Sequence, residues 1–487
     1  MKIMKKVLAM LVSMVMVLAF CVTGVAANVE LTQHTFAAYQ IFKGDFTEGN
    51  KLSNVTWGDG VQGENLLTEL KKQAAFATCK SAADVAKVLE TYNTDSTEAN
   101  AFAKIVATKV TATKTTGTGT VELPAAGYYL IVDTTDTTGK DDAKNLSFLK
   151  VNGAGTVTPT EKTDKPTLKK KVKDVNDSTG VGTDWQDSAD YDIGDEIPYK
   201  LTATMGDLSH YDHYYLKFHD TMTHLTLVEG SVEVKVGKTT LTKNQYTVNW
   251  DSTNKTMDVA IMDVKAHGAG TGTEVTVTYK ATLDTDAVLG STGNPNTADL
   301  EYSNNPNNTG DGTTKPNDTG KTPEDKNIVF TYKVTVNKVK ENQQPLKGAE
   351  FELSKKAKDG SWISKGKLTG TGDDQNVFEW KGLDDGDYKI EETTTPSGYN
   401  TIDPIEFTIT AEHEIDSADP KLTSLSGGDV FTGNVTTGAV SANIVNKSGS
   451  TLPETGGIGT TVFYVIGGML MAAAAILLIT KKRMNNK

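Results

Sequence analysis

From residue 165 onward, this 487-residue chain is written in short runs that alternate apolar and polar residues and are closed off by turn-forming residues. Ser231-Val232-Glu233-Val234-Lys235-Val236 and Glu274-Val275-Thr276-Val277-Thr278-Tyr279 are two of them. Alternation with period two puts apolar side chains on one side of a strand and polar ones on the other, so a series of such runs folds into facing sheets. An all-β chain of tandem β-sandwich domains is expected. The N-terminal part is mixed. Residues 66–77 and 82–92 carry helical spacing, with Ser81 placed as an N-cap and Asp84 three positions later in the manner of a capping box. Gly127-Tyr128-Tyr129-Leu130-Ile131-Val132 reads instead as a strand.

Both ends of the chain lie outside this pattern. Lys2, Lys5 and Lys6 precede an apolar stretch at 7–22 and the small residues Val25-Ala26-Ala27, which is the form of a secretory signal, 1–27, cleaved near Ala27. At the other end, Leu452-Pro453-Glu454-Thr455-Gly456 is followed by an uncharged apolar run, 458–479, and by Lys481-Lys482-Arg483. A helix over 458–480 is long enough to cross a bilayer of ~30 Å, with its basic tail on the cytoplasmic side. Everything upstream would face outward. The chain carries a formal charge of −13 and both removable ends are basic, so the exported part is more acidic still, which does not suit nucleic acid. Cys21 leaves with the signal and Cys79 stays alone, so no disulfide is available to staple the exported domains.

Strand parity then picks out polar residues on core-facing positions. Phe330, Tyr332, Val334 and Val336 share a face that continues to Lys338. Tyr388 and Ile390 lead to Glu392, while Val440, Ala442 and Ile444 lead to Asn446. The preceding region repeats the set: Lys170 lies between Leu168 and Val172, Asp220 follows Leu216 and Phe218, and Asn296 heads the stripe Ala298, Leu300, Tyr302. Each domain thus offers a lysine, an acid and an asparagine, expected on its first, middle and last strands. Burying a charged lysine and a carboxylate costs several kcal/mol unless they pair or lose charge. Desolvation lowers a lysine pKa and raises that of an acid, so the amine can attack the asparagine carboxamide while the protonated acid polarises its carbonyl, and ammonia leaves. The product is an intramolecular isopeptide bond. The alternative is a lysine that snorkels to the sheet edge and forms an ordinary ion pair.

Leu452 to Gly456 resemble the LPXTG substrate of sortases, whose cysteine would cut between Thr455 and Gly456 and hold Thr455 as a thioester. Tyr388-Lys389-Ile390-Glu391-Glu392-Thr393-Thr394-Thr395-Pro396-Ser397-Gly398-Tyr399 resembles the E-box of Gram-positive pilins, and Leu346-Lys347-Gly348-Ala349-Glu350-Phe351 the start of a CnaB-type Ig-like domain. The whole chain is similar to a three-domain, sortase-assembled backbone pilin of the SpaA type. The resemblance implies an N-terminal pilin domain at 28–160, a middle Ig-like domain of CnaA type at 161–318, a CnaB-type domain at 325–447 and a sorting signal at 452–487. The later half of the Asn-, Gly- and Thr-rich stretch 290–327 is expected to be an interdomain linker. The resemblance further implies isopeptide bonds from Lys170 to Asn296 with Asp220 as catalyst, and from Lys338 to Asn446 with Glu392.

In such pilins a lysine at the end of the first domain joins Thr455 of the next subunit. Where their pilin motif has that lysine, this chain has Thr160 within Val157-Thr158-Pro159-Thr160-Glu161-Lys162, so Lys162 is the candidate, with Lys165 as its rival. The implied partners are a pilin-specific class C sortase, a housekeeping sortase with its peptidoglycan precursor, identical subunits and ancillary pilins. The implied role is a shaft subunit of a covalent pilus fixed to the cell wall; the alternative is a monomeric wall-anchored adhesin that binds a host glycoprotein or matrix protein. No cofactor, metal or small-molecule turnover is expected. His210, His213, His219 and His224 cluster in sequence but lack an HExxH or cysteine pattern.

Overall fold

The computed structural model describes residues 27–47, 51–449 and 458–484, so most of the signal sequence and the pentapeptide Leu452 to Gly456 lie outside the described residues. In the N-terminal domain, strands Lys51–Trp57, Thr35–Thr47, Gly127–Asp133 and Phe148–Asn152 form a sheet in that order, with Thr115–Thr118 also paired to Thr35–Thr47. Helices Gly63–Leu70, Ala82–Leu89 and Thr97–Ala107 bury Leu66, Leu70, Val85, Phe102 and Val106 against Ile41, Phe42 and Leu130. Ser81 caps the second helix by accepting from the Asp84 N–H at 3.2 Å, and the Asp84 carboxylate reaches one residue past the cap to the Lys80 N–H at 2.8 Å. The helix expected at 66–77 starts at Gly63 and stops at Leu70; Gln73 is extended, and a separate 3-10 turn, Ala74–Phe76, follows. The third helix, capped by Ser96, was not anticipated from spacing.

The middle domain is a sandwich. One sheet runs Thr167–Val172, Glu196–Thr204, Glu274–Leu283, Glu233–Val236, Thr239–Thr240, with Leu225–Leu227 also on Glu274–Leu283. The other runs Ser188–Asp190, Asp325–Phe330, Asn294–Ser303, Leu216–Met222, Thr256–Ile261, Thr247–Asp251, with Thr319–Lys321 on Asn294–Ser303. Tyr199 and Val277 from the first meet Phe218, Val259 and Leu300 from the second in a single core. The C-terminal domain pairs Val377–Leu383, Tyr332–Lys340, Ala439–Asn446 and Thr432–Asn434 in one sheet. Its second sheet is Trp362–Thr369, Glu350–Lys356, Gly386–Thr394, Ile405–His413 and Leu422–Ser426. The first and last strands of this domain are parallel neighbours.

Two expectations are corrected here. The stretch expected as a linker supplies strands Thr319–Lys321 and Asp325–Phe330 to the middle sheet, and only Thr331 separates the latter from Tyr332–Lys340 of the next domain. Asn294–Ser303, which carries Asn296, is accordingly not the last strand of its domain. Asn304 and Asn307, from the earlier half of the same Asn-rich stretch, clasp the N-terminal domain: Asn304 Nδ2 donates to the Thr137 carbonyl at 2.8 Å, Asn307 Oδ1 accepts from the Ser147 N–H at 2.7 Å, and Asn307 Nδ2 donates to the Asn145 carbonyl at 3.0 Å. Composition reports that a segment is polar; it does not report whether its polar groups face water or another domain. The C-terminal helix, Ile458–Met484, is long and apolar enough to cross a membrane.

Candidate functional site

Lys170, Asp220 and Asn296 are fully buried at the heart of the middle sandwich. Asp220 and Asn296 share a face of adjacent antiparallel strands, because Asp220 stands opposite Ala298 and Met222 opposite Asn296. Lys170 comes from the edge strand of the facing sheet and reaches across. Its backbone is held by side chains of the strand Asp325–Phe330, the N–H donating to Asp325 Oδ2 at 2.7 Å and the carbonyl accepting from Asn327 Nδ2 at 3.1 Å. Its Nζ donates to Asp220 Oδ2 and, at 2.9 Å, to Tyr279 Oη. The rings of Tyr199 and Tyr279 lie 5.2 and 5.5 Å from that nitrogen. Burial pushes the Lys170 amine pKa down, and the Asp220 charge offsets only part of this. Asp220 Oδ1 and Asn296 Oδ1 have no hydrogen-bond partner.

The C-terminal domain arranges the same residue types differently. Lys338 stands opposite Ile444 on parallel neighbouring strands, which brings Asn446, two residues on, to the same face. Lys338 Nζ donates to Asn446 Oδ1 and lies 3.6 Å from Glu392 Oε1. Glu392 comes from the facing sheet, at a register shift opposite Phe351, and accepts from Asn446 Nδ2 through Oε1 at 2.8 Å and Oε2 at 3.1 Å. The acid therefore touches the departing nitrogen rather than the carbonyl oxygen that sequence reasoning assigned to it. Oε2 also accepts from the Ile402 N–H at 3.2 Å. Burial again lowers the lysine pKa, with Glu392 opposing. A bond here would join two strands of one sheet, whereas a bond in the middle domain would join two sheets.

Tyr279 was not singled out by sequence. The signal was present, since it lies in the middle of the inward stripe Val275, Val277, Ala281 and Leu283 and places a hydroxyl where the stripe is otherwise apolar. The alternative of a snorkelling lysine does not describe either site, because neither lysine side chain has any exposed surface.

The other candidates are scattered. Lys162 Nζ lies 2.7 Å from Asp95 with its side chain 19% exposed, and Lys165 Nζ lies 2.7 Å from Asp141 at 14%. Asn145 holds the segment, donating to the Thr160 carbonyl and accepting from the Lys162 N–H. Of the clustered histidines, His213, His219 and His224 each face a separate carboxylate, Asp263, Asp258 and Asp286.

A third buried lysine shows what the two sites are not. Lys355 sits at the junction of the middle and C-terminal domains and donates to Asp177 at 3.0 Å, Asp384 at 3.2 Å and Asp192 at 3.3 Å. Burial lowers its pKa, but these three carboxylates outweigh the burial and push it up, so it stays an ammonium ion and not a nucleophile. Around it, Asn176 donates to Asp385 at 2.7 Å, and Asp192 accepts from the Asp384 N–H at 2.7 Å. The backbones of Gly290 and Gly438, both at positive φ, approach so closely that a Cβ on either would lie 2.4 Å from the other's nitrogen.

His413 completes the junction. Its Nδ1 is 2.7 Å from Ser188 Oγ, and its Nε2 is 3.7 Å from Asp174 and 3.6 Å from Asp190. Burial lowers its pKa, but these two carboxylates outweigh it and push the value up to about 9. Asp195 and Asp385 are pushed up to about 6, mainly by burial. All three groups bind protons more tightly folded than unfolded, so each favours the folded junction at the lower pH. Stability should fall as pH rises through ~4–6, where the carboxyls ionise, and again through ~6.5–9, where His413 loses its charge. Thermal melts of the wild type and His413→Gln between pH 6 and 9.5 test this; equal slopes in the two proteins would count against it.

Comparison with known proteins places families on these domains. Residues 193–306 match a family described as Gram-positive pilin backbone subunit 2, Cna-B-like domain. Residues 332–421 match SpaA, a prealbumin-like fold domain, and residues 444–486 match the LPXTG cell wall anchor motif. The middle domain, expected to be of CnaA type, thus matches a family described as Cna-B-like. The trypsin-resistant surface T6 protein of Streptococcus pyogenes is 35% identical over 132 residues, 26% of this chain and 23% of that protein's length. The solved T6 backbone pilin of S. pyogenes, described as a modular three-domain structure, shares the fold over 88% of this chain and 98% of its own, with a TM-score of 0.52 and 18% identity. The full-length major pilin SpaD of Corynebacterium diphtheriae aligns over 86% of this chain and 94% of its own, with a TM-score of 0.48 and 19% identity.

Proposed function

We propose that this chain, which carries a Gram-positive pilin-backbone domain, a SpaA prealbumin-like domain and an LPXTG cell-wall anchor motif, is a structural subunit of a covalently polymerised pilus on a Gram-positive surface. A sortase joins Thr455 of one subunit to Lys162 of the next, and a housekeeping sortase transfers the finished polymer to peptidoglycan. The observation that carries the reading is the pilin-backbone match at 193–306 upstream of the anchor motif at 444–486 in one chain. Ancillary pilins share the polymer, and a class C sortase builds it.

Lys170 to Asn296 and Lys338 to Asn446 form isopeptide bonds, with Asp220 and Glu392 as proton shuttles. What supports this is two lysines without exposed side-chain surface, each with its amine pKa lowered by burial: Lys338 bonds Asn446 and lies near Glu392, and Lys170 bonds Asp220 and is linked to Asn296 through the Tyr279 hydroxyl. The protein is a sortase substrate whose only chemistry is on itself.

Expressing the full chain in a Gram-positive host with its sortase should give a ladder of high-mass species that survives boiling in detergent. Lys162→Ala should collapse the ladder to the monomer, whereas Lys165→Ala should leave it. A ladder indifferent to Lys162 moves the junction to another lysine. A single wall-released band from the wild type favours the adhesin.

A further inference from the structure

The acids of the two buried sites differ by one methylene, and this difference gives Tyr279 a role. In the C-terminal domain the longer acid, Glu392, contacts the carboxamide nitrogen of Asn446 directly at 2.8 and 3.1 Å. In the middle domain the shorter acid, Asp220, accepts from Lys170 Nζ and from the Tyr279 hydroxyl at the same oxygen, Oδ2, the phenol lying at 2.8 Å. The same phenol oxygen accepts from Asn296 Nδ2 at 2.9 Å and from Lys170 Nζ at 2.9 Å. A single hydroxyl thus touches the acid, the nucleophile and the leaving group, and bridges the acid to the carboxamide nitrogen that Glu392 contacts directly in the other site. Burial keeps this phenol pKa well above its ordinary value, so it stays protonated.

We propose that Tyr279 is a catalytic residue of the middle domain, relaying a proton from Asp220 to the departing nitrogen of Asn296. This rests on the isopeptide reading above. Lys170, as an ammonium ion, gives one proton to the Asp220 carboxylate, and the freed lone pair forms the Nζ–Cγ bond while the carbonyl π pair moves to Asn296 Oδ1. The tetrahedral centre collapses as the Cγ–Nδ2 bond breaks. Tyr279 delivers its proton to Nδ2 and takes the Asp220 proton in exchange, and Nζ passes its surplus proton back to Asp220. Ammonia leaves, Asp220 ends protonated, and Tyr279 is restored. No oxidant or external reactant enters. The C-terminal site needs no relay because Glu392 already touches the nitrogen.

Tyr279→Phe keeps the ring and removes the hydroxyl with its bonds to Asp220, Lys170 and Asn296. In the full chain, sampled by intact mass at intervals after synthesis and mapped by peptide, the Lys170–Asn296 link should form at least ~10²-fold more slowly, the scale of general acid–base catalysis. The Lys338–Asn446 link should form as in the wild type. Adding Asp220→Glu to Tyr279→Phe should restore the middle link, since the longer acid reaches Nδ2 unaided. A middle link at wild-type rate in Tyr279→Phe overturns the relay, as does a double variant that stays unlinked, which would trace the loss to packing. A wild type that retains all its ammonia overturns the isopeptide reading itself, a result distinct from either.

Discussion

Glu392→Ala should leave Lys338 and Asn446 unlinked, so that the protein weighs one ammonia more than its cross-linked form would, and the C-terminal domain should become sensitive to trypsin. The physical reason is local. Glu392 accepts from the carboxamide nitrogen and lies within ion-pair distance of the amine, and among the described residues no other carboxylate bonds either group. The consequence is global, because the link spans 108 residues. By analogy with a disulfide that closes a ~100-residue loop, its loss removes about 4.7 kcal/mol of unfolded-state constraint. For a domain of this size that is roughly a 20 °C fall in melting temperature. The middle domain is the internal control and should still lose its own ammonia. If the variant melts and digests like the wild type, the bond does not stabilise this domain.

The second large effect is expected at Lys355, whose replacement by methionine should uncouple the middle and C-terminal domains. Lys355 is the cation shared by Asp177, Asp192 and Asp384, and the last two are buried. Methionine fills similar space but takes the cation from Asp384, while Asp192 keeps its second partner Lys365, and breaking a buried ion pair costs about 3–5 kcal/mol. The junction matters mechanically. Tension entering at Lys170 would pass through a bond to Asn296, but the chain between Asn296 and Lys338 lies outside both links and depends on strand pairing and on the junction. Lys355→Met should therefore split one calorimetric transition into two and open the chain near Thr331 to protease, while both ammonias are still lost. An unchanged melting profile would show that the junction contributes little.

Much of this could be read from the sequence. Period-two alternation is a local property, so it places Lys170, Lys338, Asp220, Glu392, Asn296 and Asn446 on inward faces without knowledge of which strand pairs with which. Their burial in the fold agrees with that reading. The anchor motif is equally local, a linear pattern matched as such. The helix Thr97–Ala107 lies outside the expected helical spans, although Ser96 and the spacing of Phe102, Ala103 and Val106 suit a helix.

What only the tertiary structure decided concerns distance between strands that are remote in sequence. Parity puts Tyr279 in the core, but only sheet packing brings its hydroxyl between Asp220 and Asn296. Composition marks the later half of 290–327 as linker, but only strand pairing puts Thr319–Lys321 and Asp325–Phe330 into the middle sheet, and only docking makes Asn304 and Asn307 a clasp on the neighbouring domain. Lys355 carries the same chemical group as Lys338, and both are buried. One is held charged by three carboxylates and the other is pushed toward the neutral amine beside one, because an amine's pKa is set by the charges the fold gathers around it and not by its place in the chain.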